Sequence, residues 1–327
     1  MASFISLIQA AIIFGTVIMF GCVGEILSEK SGNLNLGVPG IMYIGGISGL
    51  ATAFFYESKV ENPNGLLCIF LSFTACFLAS MLAGFIYCFL TITLRANQNV
   101  TGLTLTIFGS GIANFFGGSL NKLAGGVGQI SVSATSKAYR TKLPFSSTTG
   151  DVGKIFFSYG FMTYAAILIA VLMALFLKKT RIGLNLRAVG ENPATADAAG
   201  INVIKYKYAA TMLGAGICGF GGLFYVMDYI KGTWANDGTI EKLGWLAVAL
   251  VIFTTWRPLN AIWGAYLFGV LYWMYFYIDG LTRASQELFK MLPYVVTILV
   301  LLFVSLRQKR ENQAPESLGL AYFREDR

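Results

Sequence analysis

The side chains that could do covalent or redox chemistry in this chain are few, and their placement removes most of the usual reactions. Five cysteines, Cys22, Cys68, Cys76, Cys88 and Cys218, all fall inside apolar runs, and none has the spacing of a metal site or a disulfide framework. They read as small core residues. The chain has no histidine, so Ser-His and Cys-His nucleophile pairs and the usual intramembrane metal ligands are missing. No catalytic residue and no metal site is therefore expected. No Gly-x-x-x-x-Gly-Lys-Ser/Thr phosphate cradle occurs either, so the chain is not expected to bind ATP itself. Glu25, Glu57, Arg95 and Asp228 stand at the expected ends of apolar runs, not within them. Proton-driven carriers usually keep ionisable groups inside the membrane as their coupling device, so this argues against proton-coupled transport. Sodium coupling through backbone carbonyls and hydroxyls stays open.

One polar stretch does have a pattern with a mechanical use. Arg181–Val203 is an island between two long apolar runs. Asn192 can cap a helix, Pro193 fits the first helical position where no backbone N–H is needed, and Gly200 can close the end. Between them lies Ala-Thr-Ala-Asp-Ala-Ala, too small to build a core of its own. The spacing predicts a short helix, roughly 10 Å long at ~1.5 Å per residue, held outside the bilayer. It reads either as an element that sits in another protein's groove or as an ordinary capped surface helix.

The elements that must position this island are membrane spans. The 327 residues are 56% hydrophobic and 12% charged, and the apolar residues come in repeated long runs, as expected of a polytopic membrane protein. The expected spans are Phe4–Val23, Asn35–Tyr56, Leu66–Leu94, Val100–Leu120, Ile155–Leu177, Tyr206–Met227, Leu243–Trp256, Ala261–Ile278 and Leu288–Leu306. The fold class is thus all-α, a transmembrane bundle of about nine spans, with eight to ten allowed. Phe4–Val23 has no basic region before it and no small-residue cleavage site after it, and reads as a first span. With the tail inside, the inner segments hold the larger share of the 24 Lys and Arg, which places the island and tail in the cytoplasm. Residues 1–306 are expected to form one transmembrane domain with a loop at 178–205 and an outer loop at 121–154, followed by a cytoplasmic tail at 307–327. The net charge of +8 has no aromatic-basic groove to go with it, so no nucleic-acid partner is expected.

The second span is irregular. Pro39 removes a backbone donor, and Gly37 and Gly40 permit a break. Irregular backbone at membrane depth survives only inside protein or along a water-filled cavity. Asn35, Gly37, Pro39 and Gly40 are therefore candidates for a translocation path, the alternative being a Pro kink in a packing helix. Asn114, the most polar side chain deep in the fourth span, offers a hydrogen bond to a polar solute or to a neighbouring helix. Small residues at four-residue spacing, Ala210, Gly214, Cys218 and Gly222, mark a helix-packing face. Trp234, Trp256, Trp263 and Trp273 lie near span ends, as interfacial anchors do. The loop Asn121–Lys154, rich in Gly, Ser and Thr and without amphipathic period, is expected to be exposed.

At these residues a family becomes recognisable. Leu186-Arg-Ala-Val-Gly-Glu-Asn-Pro193 followed by Ala199-Gly-Ile-Asn-Val203 resembles the coupling loop of ATP-binding-cassette importer permeases of the branched-chain amino acid and ribose type. Gly24–Gly37 is similar to their second conserved block, in the form seen in nucleoside permeases paired with a basic-membrane-protein-type lipoprotein, and Leu318–Arg324 resembles the tail of that subgroup. Pro39 departs from the acidic residue of many relatives. The resemblance implies a permease subunit, most simply for nucleosides, that pairs with a second, homologous permease, a cassette ATPase subunit and an extracytoplasmic substrate-binding lipoprotein, and that sits in membrane lipid. It also implies that Arg187, Gly190, Glu191, Asn192, Pro193 and Gly200 belong to the ATPase contact. No cofactor is expected, ATP being bound by the partner. Simple sugars and riboflavin are alternative solutes, and a stand-alone secondary carrier or channel is the alternative of a different class.

Overall fold

Long apolar runs leave the backbone no hydrogen-bonding partner in hydrocarbon except itself, so they must coil. The computed structural model, which describes residues 2–123, 130–142, 150–278, 280–307 and 313–323, is helical accordingly. The helices are α1 (Ala2–Glu29), α2 (Val38–Glu57), α3 (Gly65–Cys88), α4 (Gln98–Leu123), α5 (Ser133–Tyr139), α6 (Gly150–Phe156) and α7 (Phe161–Lys179). After them come α8 (Arg181–Glu191), α9 (Pro193–Ala198), α10 (Val203–Phe224), α11 (Thr239–Phe253), α12 (Pro258–Trp273), α13 (Arg283–Lys290) and α14 (Leu292–Arg307). Among the described residues the one β-type pairing is an isolated bridge between Ser131 and Thr233.

Seven helical stretches, of 19 to 29 residues, are long and apolar enough to cross a membrane. They begin at Phe4, Val38, Gly65, Gln98, Phe161, Val203 and Arg283. The expected seventh and eighth spans are present as α11 and α12, of 15 and 16 residues. At ~1.5 Å per residue these reach only ~22–24 Å, short of the ~30 Å of hydrocarbon.

α1 and α10 form the centre. They pack on each other, with α2 and α3 against α10 and with α11, α12 and α7 against α1. The small-residue face of α10 does the packing expected of it. A Cβ on Gly214 would sit 2.5 Å from the Gly24 carbonyl oxygen, so the two backbones are in contact. All five cysteines are buried and free.

Several expectations need correction. α1 does not stop at Val23 but continues to Glu29, so Glu25 and Glu29 are buried carboxylates within it, and Lys207 is buried within α10. One oxygen of each carboxylate is served by a residue outside α1: the Asn35 backbone N–H donates to Glu25 Oε1 at 3.0 Å, and the Trp256 indole N–H donates to Glu29 Oε2. The argument against proton coupling loses its premise with them. The break near the second span lies ahead of the helix: α2 is continuous from Val38, with Pro39 in its first turn, where a missing N–H costs nothing. Trp234 and Trp256 are buried in the core, and of the four tryptophans offered as anchors Trp263 is the one that is more than half exposed. Part of the outer loop folds back. Glu57 accepts the Thr135 N–H at 2.7 Å, Ser136 Oγ donates to the Met227 carbonyl at 2.7 Å, and Tyr139 pairs with Ser72 at 2.8 Å, which seats α5 on the bundle. Residues 124–129 and 143–149 of that loop, 308–312 of the tail, and Arg324 onward lie outside the described residues.

Candidate coupling site

The island is two helices set at an angle. Thr180 ends α7 and caps α8, its hydroxyl accepting the Gly183 N–H at 3.0 Å. Asn192 then leaves helical geometry (φ −145°, ψ 96°), and its side chain accepts the Thr195 N–H at 2.9 Å to open α9, with Pro193 in the first turn. The other end is closed by a Schellman pair: Gly200 N–H to Asp197 O at 2.9 Å and Ile201 N–H to Ala196 O at 3.0 Å, with Gly200 at φ +81°. Asn192, Pro193 and Gly200 thus play the local roles their types imply. α8 was not foreseen as a separate helix, though its polar and apolar residues alternate at helical period.

The element has a buried back and an exposed front. Ala196 packs on Val189 and Val203, with Ile201, Tyr206 and Tyr322 around them. Ala194, Thr195, Ala198 and Ala199 are exposed, as are Arg187, Glu191, Asn192 and Gly200. Gly190 is different. It is buried, and a Cβ there would overlap the Lys30 carbonyl oxygen and come within 3.3 Å of the Gly32 nitrogen. Its carbonyl accepts both the Ser317 N–H (3.1 Å) and the Ser317 hydroxyl (2.6 Å). Gly190 therefore holds the element to the bundle from behind and offers no surface to a partner.

What α8 rests on is the irregular segment after α1. α3 and α4 contribute partners to its backbone, α10 one to a side chain. Asn35 Oδ1 accepts the Gly37 N–H (3.0 Å), Gln98 Oε1 the Leu34 N–H (2.7 Å), and Leu34 and Leu36 carbonyls take the Tyr87 (2.6 Å) and Thr106 (3.0 Å) hydroxyls. Asn33 Nδ2 donates to Thr211 at 2.8 Å. Non-helical backbone at this depth is thus enclosed by protein, one of the two conditions under which it persists. Asn35, Gly37, Pro39 and Gly40 are all buried; a Cβ on Gly40 would overlap the Leu105 carbonyl oxygen, and Gly244 lies against the Pro39 ring. In the single chain these four pack helices together. Asn114 is half-buried on α4, apart from them, with an Oδ1 that has no hydrogen-bond partner among the described residues.

Among the described residues, cavities open at both ends of the bundle. One of about 850 Å³ lies beside α8 and is lined by Lys30, Arg187, Glu191, Trp256 and Arg257. Burial there holds the Lys30 amine below its usual value, an effect the Glu191 carboxylate opposes. A second, of about 440 Å³, lies on the other side of α9 under the tail. The third, about 460 Å³ at the opposite end of the bundle, is lined by Arg140, Tyr159, Asp228, Tyr229 and Trp273. Among the described residues Tyr159 Oη and Trp273 Nε1 are buried there without hydrogen-bond partners, so the cavity can make hydrogen bonds to a polar solute beside a ring to stack on. The sequence reading missed this cavity because its walls come from the first half of α1, the residues after α5, the turn before α7, the stretch after α10 and the end of α12.

The comparisons with known proteins agree with this architecture. A family profile described as the permease component of branched-chain amino acid transport systems matches residues 7–301. A putative glucose ABC transporter permease protein of Haloferax volcanii is 31% identical over 98% of both chains. A nucleoside ABC transporter permease protein of Lactococcus lactis subsp. cremoris is 31% identical over 96% of this chain and 95% of its own, and a guanosine ABC transporter permease protein of Bacillus subtilis is 30% identical over 97% and 96%. No solved structure matches. With its apolar helices and its capped helix pair, the chain belongs to the branched-chain amino acid transport system permease family and is a multi-pass ABC transporter permease of the cell membrane.

Proposed function

We propose that this chain is one permease subunit of an ATP-driven importer of nucleosides. The observation that carries the reading is the α8–α9 pair, whose front is exposed and whose back is locked to the bundle. Relatives named for nucleoside and guanosine transport, aligned over nearly the whole chain, support the solute class. A cassette ATPase engages Arg187, Glu191, Asn192, Pro193 and the Gly200 turn. Closure of the ATPases on ATP pushes α9, and the push reaches α1 and the Ser31–Gly37 segment through Gly190. A second, homologous permease completes the path, and an extracytoplasmic lipoprotein delivers the solute. This chain supplies no catalytic residue and no cofactor site of its own.

The test is uptake of labelled purine and pyrimidine nucleosides into proteoliposomes holding this chain, its partner permease and the ATPase, with and without ATP and the lipoprotein. Uptake that needs every component is expected. Uptake by this chain alone without ATP would overturn the reading in favour of a carrier. The glucose-named relative favours a second reading, a sugar permease, at the same identity. Lipoprotein-stimulated ATP hydrolysis with glucose and not with nucleosides would select it.

A further inference from the structure

The described part of the tail, residues 313–323, returns across the end of the bundle that carries α9. Ser317 is fixed to Gly190, the Gly319 N–H donates to the Gly32 carbonyl at 3.2 Å, and the Leu320 carbonyl accepts Gln98 Nε2 at 3.3 Å. Tyr322 Oη donates to Asp197 on α9 at 3.0 Å, and the Arg95 guanidinium stands 4.5 Å over the Phe323 ring. The strap roofs the 440 Å³ cavity, whose floor and walls include Asn33, Gln98, Arg95, Lys207 and the first turn of α10.

Lys207 is the unexplained group in this cavity. The residue is 2% exposed, yet among the described residues no carboxylate pairs with its ammonium. It lies beside the Gly32 turn, about where a Gly32 side chain would begin, 3.5 Å from that Cβ position. A buried ammonium without a counter-charge is costly and is normally paired. The one acid in the wall, Asp197, is held by Tyr322. Across the cavity Arg95 is kept at φ +58°, a conformation unusual for a side chain of its size, and is steadied over Phe323. A fixed Arg and a recessed Lys facing one polar space, with a helix amino end in its wall, make an arrangement that suits anionic oxygen.

We propose that this cavity binds a phosphate-bearing anion between Lys207 and Arg95. The anion neutralises Lys207, ties α10 to the segment after α3, and keeps the strap closed on α9. The ligand sits where it can stiffen the coupling element without touching the solute. Free phosphate, a phosphorylated metabolite and a lipid headgroup share this chemistry, and Ile204 in the cavity wall is exposed.

The test uses the full chain in nanodiscs of phosphatidylcholine. Binding of radiolabelled inorganic phosphate and pyrophosphate is measured at constant ionic strength, together with thermal unfolding in phosphate against chloride. Saturable binding and a raised unfolding temperature are expected, with affinity reduced about tenfold or more in Lys207→Met and in Arg95→Gln, the usual worth of one charged hydrogen bond. A parallel arm adds phosphatidylglycerol. Stabilisation by that lipid, lost in both variants and not reproduced by free phosphate, assigns the site to a headgroup and still supports the proposal. If Lys207→Met fails to insert, Arg95→Gln decides by the same readouts. Equal binding by wild type and variants overturns the proposal. So does the absence of any anion effect while Lys207→Met weakens retention of the ATPase, which would give the cavity to an acidic side chain of a partner.

Discussion

Gly190→Ala is the most direct perturbation of the proposed transmission route. The added methyl meets only backbone: it overlaps the Lys30 carbonyl oxygen, lies 3.0 Å from the Lys30 carbonyl carbon and 3.3 Å from the Gly32 nitrogen. No rotamer can relieve that, so α8 must retreat. Overpacking of this kind costs about 1–3 kcal/mol. Retreat also stretches two hydrogen bonds from Ser317 to the Gly190 carbonyl, at about 0.5–1.5 kcal/mol each. Alanine recovers about 1 kcal/mol as the better helix former. The net, about 1–5 kcal/mol, falls on the junction and leaves the apolar core of α1 and α10 intact. The chain should therefore insert normally. Hydrogen exchange along α8, α9 and the Ser317–Leu320 strap should quicken, and ATP-driven uptake by the assembled transporter should fall by about tenfold while ATP hydrolysis continues. Gly111→Ala, on α4 with open space at its Cβ, is the control for the stability of the isolated chain and should be neutral. Unchanged exchange in α8–α9 with uptake within roughly twofold of wild type would refute the reasoning.

Four further outcomes are expected. Asn192→Ala removes the acceptor of the Thr195 N–H and should destabilise α9 by ~1 kcal/mol, read as roughly fivefold faster exchange at Thr195. Gly200→Ala places a side chain at φ +81° and should cost ~1–2 kcal/mol, with Gly200→Asn closer to wild type, in the same exchange experiment. Glu25→Leu strands the buried Asn35 N–H and should lower stability by ~1–3 kcal/mol in thermal unfolding, whereas Glu25→Gln keeps an acceptor and should lose less. Burial holds the Lys30 amine below 10.5, so below that pH the unfolded chain binds the extra proton; stability should rise as pH climbs toward 10.5, and Lys30→Met should flatten that rise.

The coupling element was legible because its signals are local. Asn192, Pro193 and Gly200 act within four residues of themselves, through a cap, a fixed φ and a positive φ. The helical class was legible for a similar reason, since a run of apolar side chains in hydrocarbon admits only a helix or a closed barrel. The candidate path was read less well. Asn35, Gly37, Pro39 and Gly40 are irregular in type, which the sequence displays, but what encloses them comes from α4 and α11, and no local pattern encodes that.

The sequence by itself determined the membrane-spanning helical character, the capped helix at Pro193–Ala198, the small-residue face of α10 and the family, because each depends on composition, on residues a few positions apart or on a contiguous motif. Only the tertiary structure decided that Glu25 and Glu29 are buried, that Gly190 faces inward, and that the tail straps the coupling end above a Lys207 without a counter-charge among the described residues. Those outcomes rest on pairs such as Glu29 with Trp256 and Gly190 with Ser317, 227 and 127 residues apart. Whether a polar side chain is tolerable in a membrane bundle depends on the partner that meets it, and the partner is chosen by packing of distant helices rather than by the side chain's own neighbours.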